Sequence, residues 1–304
     1  MTDLFANTSK NDDYDASNIE VLEGLEPVRR RPGMYIGGID DRALHHLAAE
    51  ILDNSMDEAV AGYATRIDIF LDAADRLTIR DNGRGMPTGK HPKFPDQSAV
   101  EVIMTTLHAG GKFSGKAYAT SGGLHGVGAS VVNALSSELV VEIARDKKLY
   151  KQQFSRGKPL GSLNEIGSAS NRRGTSVSFT PDTEIFGDGA KFRPATLFHM
   201  ARSKAYLFAG VEIRWHCDPS LVGTGDPVPT ETCLHYPGGL ADYLKDTTTD
   251  NALMISSPFA EIVEFDGQKF EWAITWLGSG EDGFFQSYCN PVPTPSGGTH
   301  ETGF

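Results

Sequence analysis

Glu50-Ile-Leu-Asp-Asn-Ser-Met-Asp-Glu58 is the stretch from which both the fold and the function of this sequence are inferred. It lies within Ala43 to Ala61, a segment without proline or glycine that is followed by Gly62, and this pattern predicts one long helix. Five polar residues recur at the spacing that usually carries the buried apolar stripe of a helix: Glu50, Asp53, Asn54, Asp57 and Glu58. The predicted helix therefore has an acidic and amide face.

Two interpretations of this acidic face are open from the residues alone. In the first, the face is solvated and the opposite, apolar side forms the core. That apolar side comprises Leu47, Ile51, Leu52 and Val60. In the second, a bound cation stabilises the face, because like charges three and four residues apart repel and the stripe has no Lys or Arg partner.

The cation interpretation points to a metal and a nucleotide. Mg²⁺ takes one or two oxygen ligands from protein and the rest from phosphate and water, so Glu50 followed one turn later by Asn54 suits such a site. His46 lies one turn before Glu50 and is placed to orient its carboxylate.

A second motif, Asp81-Asn-Gly-Arg-Gly85, directly follows Leu77 to Arg80, a predicted strand that forms a hairpin with Arg66 to Leu71. Asn-Gly alone favours a type I′ turn, but Met86-Pro87 follows where a return strand is expected. An Asp at a strand end with two glycines behind it can instead aim a buried carboxylate at a ligand donor, while the backbone approaches closely.

The third motif is Ser121-Gly-Gly-Leu-His-Gly-Val-Gly128, which precedes a predicted helix at Ala129 to Leu135. Glycines before a helix present free N–H groups that suit a phosphate, and a flexible connector is the alternative. Gly110 to Lys116 has the spacing of a P-loop. Because Ala117 replaces the required Ser or Thr and a predicted helix precedes the motif, we reject a P-loop.

Composition excludes several classes of protein. The 304 residues are 39% hydrophobic and 22% charged, so a folded chain of one or two domains is expected. The formal net charge of −12 argues against nonspecific coating of nucleic acid. The cysteines Cys217, Cys233 and Cys289 lack metal-ligand spacing and predict a reducing location without a structural metal. No apolar run approaches the length of a membrane span, and Met1 to Asn18 is predicted to be a flexible arm.

Together, Glu50 to Asn54, Asp81 to Gly85 and Gly122 to Gly128 resemble the three ATP-site motifs of the GHKL family. This family includes gyrase-type topoisomerases, a heat-shock chaperone, histidine kinases and mismatch-repair ATPases. Longer strings are similar to the B subunits of bacterial type IIA topoisomerases: Gly24 to Ile36, Leu107 to Phe113 and Gly298-Thr-His300. Leu25 to Arg31 and parts of Trp272 to Tyr288 look more like the topoisomerase IV branch than the gyrase branch.

The resemblance implies an α/β fold, an α+β sandwich of the GHKL or Bergerat type, followed by the start of a transducer domain. A shift to Pro, Gly, Asp and Thr between Asp218 and Pro229 predicts a boundary near Val228. We therefore expect a flexible arm at 1–18, an ATPase domain at 19–228 and an incomplete transducer domain at 229–304.

The resemblance also implies roles for single residues. Glu50, oriented by His46, polarises the attacking water, and Asn54 holds Mg²⁺. Asp81 accepts a hydrogen bond from the adenine amine, and Thr175 binds the same ring through water. The other nucleotide-binding residues are Asp57, Gly85, Met86, Lys112, Tyr118, Gly122, Gly123, Leu124, His125, Gly126, Val127, Gly128 and, reaching the partner subunit's nucleotide, Tyr14. The rim of the adenine pocket comprises Arg84, Pro87 and Arg145.

By the same resemblance, the cofactors are ATP and Mg²⁺, and ATP drives a dimeric gate that carries out DNA strand passage and decatenation. The implied partners are DNA, a second copy of this chain, and the A subunit of topoisomerase IV, which is the cleavage subunit of an A2B2 heterotetramer. The implied location is the bacterial cytoplasm at the nucleoid, with no membrane partner. The B subunit of DNA gyrase, which would support negative supercoiling, is the runner-up. A signalling kinase and a nucleotide-binding module without hydrolysis are alternatives from other classes.

Two departures from the family pattern affect these expectations. Ala119 stands where many relatives carry Lys after Tyr118, so the phosphate contact of that Lys is either lost or made by Lys116. Relatives also carry a Gln-Thr-Lys loop later in the transducer domain, and this sequence stops before it. We therefore expect the chain as given to bind MgATP, to hydrolyse it weakly and to dimerise weakly.

Overall fold

The centre of the fold is a mixed β-sheet with helices packed against it. The computed structural model describes residues 20–110 and 126–304, apart from 224, 226, 250–252, 267, 279, 281, 290–291 and 295. Within these ranges the strands are β1 (Arg66–Leu71), β2 (Leu77–Asp81), β3 (Lys90–His91), β4 (Phe94–Ser98), β5 (Ser136–Arg145), β6 (Lys148–Ser155), β7 (Lys158–Pro159), β8 (Asn164–Ser168), β9 (Gly174–Pro181), β10 (Glu212–Cys217), β11 (Glu231–Leu234), β12 (Phe259–Phe265), β13 (Gln268–Ile274), β14 (Tyr288–Cys289) and β15 (Val292–Pro293). The helices are α1 (Glu26–Arg30), α2 (Gly33–Ile36), α3 (Asp41–Val60), α4 (Ala99–Thr105), α5 (Gly128–Ala134), α6 (Thr183–Phe186), α7 (Pro194–Leu207), α8 (Leu240–Thr247) and α9 (Thr299–Gly303).

The large sheet has the strand order β11-β10-β1-β2-β9-β5-β6-β7, with β8 also paired to β6. Strands β1 and β10 pair in parallel, and the other neighbours in the sheet pair antiparallel. The hairpin that the sequence predicts from Arg66 to Arg80 is present as β1 and β2. The α/β class that the resemblance implies is therefore confirmed.

Strand β2 ends with a buried carboxylate because its side chains alternate between a buried and a partly buried face. Leu77, Ile79 and Asp81 are buried, whereas Thr78 and Arg80 between them are only partly buried. Successive side chains of a strand point to opposite faces, so Asp81 occupies the position where the pattern expects a third apolar residue. The strand thus delivers an acidic group to the inner face of the sheet.

Helix α3 begins two residues before the predicted start at Ala43. The Asp40 side chain accepts a hydrogen bond from the Ala43 N–H at 3.0 Å and caps the helix. The apolar side of α3 packs on β1, β2 and β9, as the apolar spacing predicts, except that Val60 is exposed because it is the last residue of the helix. Its buried apolar residues are Ala43, Leu44, Leu47, Ala48, Ile51, Leu52 and Met56.

Helix α5 packs against α3 and α4, and two side-chain hydrogen bonds hold its C-terminal end in place. Asn133 is fully buried and donates from Nδ2 to the Met104 carbonyl oxygen at 2.8 Å. The Arg29 guanidinium of α1 donates to the Ala134 carbonyl oxygen at 2.7 Å, which satisfies an acceptor in the last turn of α5. These contacts fix the C-terminal end of α5 and so the direction of its N-terminal end.

A buried carboxylate joins α1 to the sheet. Asp182 follows β9 and is fully buried, and its Oδ2 lies 2.8 Å from both Arg29 Nη2 and Arg156 Nε. Burial alone would raise the pKa of Asp182, but the hydrogen bonds from Arg156 and Arg29 lower it below its ordinary value.

The region after Val228 begins on the same sheet. Strand β11 pairs with β10 beyond the boundary that the composition predicts, and that boundary stays a prediction. Helix α8 then packs against α7, β12 and β13. Strands β12 and β13 pair with each other as a hairpin that is separate from the large sheet. Among the described residues, none of the helices has the length and apolar character needed to cross a membrane.

Some short elements differ from the sequence expectation. The segment from Gly83 to Pro95, expected to be loop, contains the small strand pair β3 and β4. The helices α1 and α2 are not predicted by the sequence pattern. Two to five residues are too few to show a period, so tertiary contacts rather than pattern decide such elements.

We predict that Asp182→Ala lowers the free energy of unfolding by about 3 kcal/mol near neutral pH, because it removes the buried carboxylate of Arg29 and Arg156 and leaves them only the exposed Glu184. Since the pKa of Asp182 is lowered in the folded state, its stabilising effect exists above the ordinary pKa and is lost as pH falls through the lowered value. The difference in the free energy of unfolding between parent and variant should therefore become smaller at acidic pH. Urea unfolding at neutral and acidic pH measures this.

The control for this prediction is Glu165→Ala, because Glu165 pairs with Lys148 at an exposed position. It should change stability little at either pH. An Asp182 variant as stable as the parent at neutral pH would contradict the prediction.

Candidate functional site

The described parts of the three sequence motifs meet at one place. Helix α3 contacts both β2 and α5, so the acidic face of α3, the end of β2 and the start of α5 are adjacent. A Cβ atom added to Gly128 would collide with the Glu50 carboxylate, and one added to Gly83 would lie 2.7 Å from Glu58 Oε2. Glycine at both positions lets the backbone approach the acidic side chains of α3.

The Glu50 carboxylate is held by His46. Glu50 Oε1 lies 3.2 Å from His46 Nε2, and the Glu50 side chain is 30% exposed, so water reaches it. The hydrogen bond to Glu50 raises the pKa of His46, while burial acts in the opposite direction. The His46 imidazole thus fixes the orientation of a carboxylate that stays accessible to water.

Two other acidic residues of α3 have cationic partners from distant parts of the chain. The Glu58 carboxylate accepts hydrogen bonds from Nη2 of Arg84 at 2.7 Å and from the backbone N–H of Arg84 at 2.9 Å. Asp53 lies 2.6 Å from the ammonium of Lys204 on α7. The absence of Lys or Arg along the stripe therefore does not require a metal at these two residues, and that part of the sequence argument is wrong. The local sequence gives no sign of either partner.

Asp81 accepts backbone hydrogen bonds and lies deep in the site. Its Oδ1 accepts from the Gly83 N–H at 2.7 Å and the Thr175 N–H at 3.3 Å. Burial raises the pKa of Asp81 to about 6, although these two hydrogen bonds lower it. The Thr175 hydroxyl accepts from the Met86 N–H at 3.1 Å, so Asp81, Thr175 and Met86 form one cluster.

This cluster also requires a glycine at position 174, which is not among the residues predicted from the sequence. Its φ of +111° lies in the left-handed region, and a Cβ there would collide with the backbone carbonyl of Asp81. The only signal in the sequence is that a glycine precedes Thr175.

The predicted rim residues line one edge of the same cluster. Arg84 stacks on the ring of Tyr63, with its guanidinium carbon 3.7 Å from the ring centroid. Arg145 donates to the Gly85 carbonyl oxygen at 2.7 Å, and Gly85 has a φ of +78° beside the Ala144 backbone. Pro87 follows in the loop after Met86. Tyr63 is not among the predicted residues and joins the rim through its stacking contact.

The remaining predicted site residues divide into two groups. Asp57 is buried on α3, Asn54 lies on the same helix, and Gly126 and Val127 lead into α5. The others lie outside the described residues: Tyr14, Lys112, Tyr118, Gly122, Gly123, Leu124 and His125.

The oxygen atoms that Glu50 and Asn54 offer suit a hard cation that also keeps phosphate and water as ligands. No group of three or more His, Cys, Asp or Glu side chains within the described ranges could hold a metal ion by itself. Glu50 and Asn54 offer carboxylate and amide oxygens, which Mg²⁺ accepts when phosphate and water complete its shell. The residues present therefore fit Mg²⁺ as part of a nucleotide complex.

A concavity of about 990 Å³ lies between the start of α3 and α7, and His46 is among the residues that line it. His45 lines it and is already satisfied: its Nδ1 lies 2.6 Å from the Asp41 carbonyl oxygen, and its Nε2 accepts from the Arg193 N–H at 2.9 Å. These two hydrogen bonds to the backbone give His45 a structural role.

Comparisons with known proteins show which families this chain is similar to. Residues 39–185 match the family model described as histidine kinase-, DNA gyrase B-, and HSP90-like ATPase, and residues 239–304 match the model described as DNA gyrase B. The B subunit of DNA topoisomerase 4 from Caulobacter vibrioides is 60% identical over 96% of this chain and 42% of the relative. The B subunit of DNA gyrase from Halalkalibacterium halodurans is 43% identical over 98% of this chain and 45% of the relative.

A solved structure is also similar. The 43K ATPase domain of Thermus thermophilus gyrase B, crystallised with an aminocoumarin, has a TM-score of 0.78 and 39% sequence identity. The match covers 91% of this chain and 69% of that chain. The chain spans less than half the length of the curated relatives that it matches.

We predict that Asp81→Asn stabilises the ligand-free protein by about 2–3 kcal/mol at about pH 8. Because the pKa of Asp81 is raised from 3.8 to about 6, folding favours its neutral form. The cost of burying the charged form grows as pH rises from 3.8 through about 6 and is complete above that value, and the neutral amide removes it. Urea unfolding at about pH 8 and at about pH 4 measures the gain, which should be absent in acid.

Asp188→Asn is the matched control, since Asp188 is exposed and should show no such gain at either pH. A gain for Asp81→Asn that is equal at both pH values would show that burial of charge is not its cause.

Proposed function

This chain belongs to the family of histidine kinase-, DNA gyrase B- and HSP90-like ATPases, and within it to the B subunits of bacterial type IIA topoisomerases, and on that premise we propose that it binds ATP with Mg²⁺ between α3, β2 and α5 and hydrolyses it. The observation that carries the proposal is the Glu50 carboxylate, held by His46 and directly facing the first residue of α5. A helix N-terminus favours phosphate, so a carboxylate beside it is placed for chemistry on a phosphate.

Glu50 is the proposed base for the attacking water. Phosphoryl transfer depends mainly on positioning and on charge neutralisation, and little on covalent chemistry by the protein. His46 orients the Glu50 carboxylate, which keeps one face open to water. The carboxylate then polarises that water and accepts its proton as the oxygen attacks the terminal phosphate.

Asp81 and Thr175 are the proposed adenine site. Asp81 already receives the Gly83 and Thr175 N–H groups on Oδ1, and its second oxygen is available in this proposal to the adenine amine. Arg84, Pro87 and Arg145 border this position as the rim of the pocket. A buried polar site of this kind rejects ligands that lack the matching donor, because its groups would be left unpaired.

Asn54 is the proposed protein contact of Mg²⁺, which would neutralise charge on the phosphates. The N–H groups at the start of α5, with Gly126, Val127 and the preceding glycines, are proposed to donate to the phosphates. Lys112, Tyr118 and the partner subunit's arm with Tyr14 complete the site in this proposal.

We further propose that the whole protein acts as the B subunit of topoisomerase IV. In this proposal, ATP closes a dimer of this chain on DNA. The A subunit of topoisomerase IV, joined in an A2B2 assembly, cleaves the DNA for strand passage and decatenation in the bacterial cytoplasm at the nucleoid. The identity of 60% to a B subunit of topoisomerase 4, against 43% to a B subunit of gyrase, favours this assignment. Negative supercoiling by the reconstituted full-length subunits would instead favour gyrase.

We predict that Glu50→Ala, introduced into the full-length protein, lowers kcat for ATP hydrolysis by about 10²-fold or more. Affinity for a nonhydrolysable ATP analogue should be retained, because a water-orienting carboxylate acts on the transition state. Steady-state ATPase rates and calorimetry measure the two quantities. Glu165→Ala, an exposed control, should match the parent in both, and parental turnover by the Glu50 variant would refute the role of Glu50.

We predict the opposite pattern for Asp81→Asn: weaker binding of the ATP analogue by about 1–3 kcal/mol, because an amide donor then faces the adenine amine. Calorimetry measures the affinity, with Asp188→Asn as the control. Since the same substitution should stabilise the free protein, a loss of affinity cannot be attributed to unfolding. Unchanged affinity would count against adenine recognition by Asp81.

A further inference from the structure

Lys204 reaches from α7 into the acidic face of α3. Its Nζ lies 2.6 Å from Asp53 Oδ1, and the two side chains are only 10% and 22% exposed. Asp53 immediately precedes Asn54 and lies one turn after Glu50. The ion pair therefore joins α7 to the turn of α3 that carries the proposed water-orienting and metal-binding residues.

Lys204 lies on a part of α7 that is firmly packed. Ala201 and Ala205, on either side of Lys204 along the helix, are fully buried, and Tyr206 is buried and stacks on Tyr236 with ring centroids 3.8 Å apart. The backbone of Lys204 therefore has little freedom. A largely buried ammonium on a fixed helix restrains its carboxylate partner more than an exposed pair does, because solvent screens it less.

Asp53 lies on α3 between Glu50, three residues before it, and Asn54, directly after it. A displacement of Asp53 would therefore shift the turn of α3 that carries both residues. A misplacement of about 1 Å at a reacting group can reduce a rate by about 10²-fold.

We propose that Lys204 is a positioning residue for ATP hydrolysis: its ammonium holds Asp53 and thereby fixes the turn of α3 between Glu50 and Asn54. The inference rests on the proposed role of Glu50. It differs from a purely structural ion pair in one respect. A structural pair is replaceable by two neutral side chains without loss of rate, whereas a tether is not.

The test uses the full-length protein and two variants. Lys204→Met removes the ammonium and leaves Asp53 as a largely buried unpaired charge, so both Tm and kcat should fall, kcat by about tenfold or more. The double variant Lys204→Met with Asp53→Asn removes the unpaired charge as well. Its Tm should recover toward the parent, while kcat should remain low because the tether is still absent.

Affinity for a nonhydrolysable ATP analogue, measured by calorimetry well below the lowest Tm, should change little in both variants, because the Asp81 and Thr175 cluster is intact. Lys148→Met is the control. It breaks the exposed pair with Glu165 on β6 and β8, and it should keep the parental kcat.

Recovery of kcat together with Tm in the double variant would overturn the proposal, and so would parental kcat in Lys204→Met. A failure of the proposed function gives a different result. In that case the parent would not hydrolyse ATP, or Glu50→Ala would hydrolyse it at the parental rate, whatever the Lys204 variants do.

Discussion

Carboxylates that lie against an apolar core need a counter-charge or a hydrogen-bond donor, and the region around α3 and β2 supplies one to each of four acidic groups by a different route. His46 serves Glu50 from within the helix, Lys204 serves Asp53 from α7, and Arg84 serves Glu58 from the loop after β2. Asp81 receives backbone N–H groups. The rest of the fold can be understood as the framework that brings these donors to one helix and one strand end.

This constraint explains why glycine occurs where the chain crosses the site. Gly83 and Gly128 leave open the space that a Cβ would take beside the carboxylates of Glu58 and Glu50, so the backbone can approach them closely. Gly174 has a further reason, since its left-handed φ turns the chain so that the next residue can donate to Asp81. Backbone conformation and site electrostatics are thus set by the same few positions.

The sequence predicts the parts of this arrangement that are local. The long helix, the hairpin of β1 and β2 and the helix after the glycine-rich loop follow from periodicity and breakers, and the structure confirms them with shifts of one or two residues at their ends. Lys204 and Arg84 could not be assigned as partners of α3, because pairing across the fold leaves no trace in local spacing. The short helices α1 and α2 escape prediction for a related reason: they are stabilised by contacts such as the one from Arg29 to Ala134.

The parallel pairing of β1 with β10 has a consequence for how the protein is made. Residues of β1 pair with Glu212 to Cys217, so one central neighbour of β1 leaves the ribosome long after β1 itself. Contacts of such high sequence separation form slowly and leave an unpaired strand edge exposed in the meantime. Lys204 lies just before β10, so the ion pair with Asp53 is also completed late. A nascent chain that stops short of β10 therefore carries the three motifs while one edge of β1 is still unpaired.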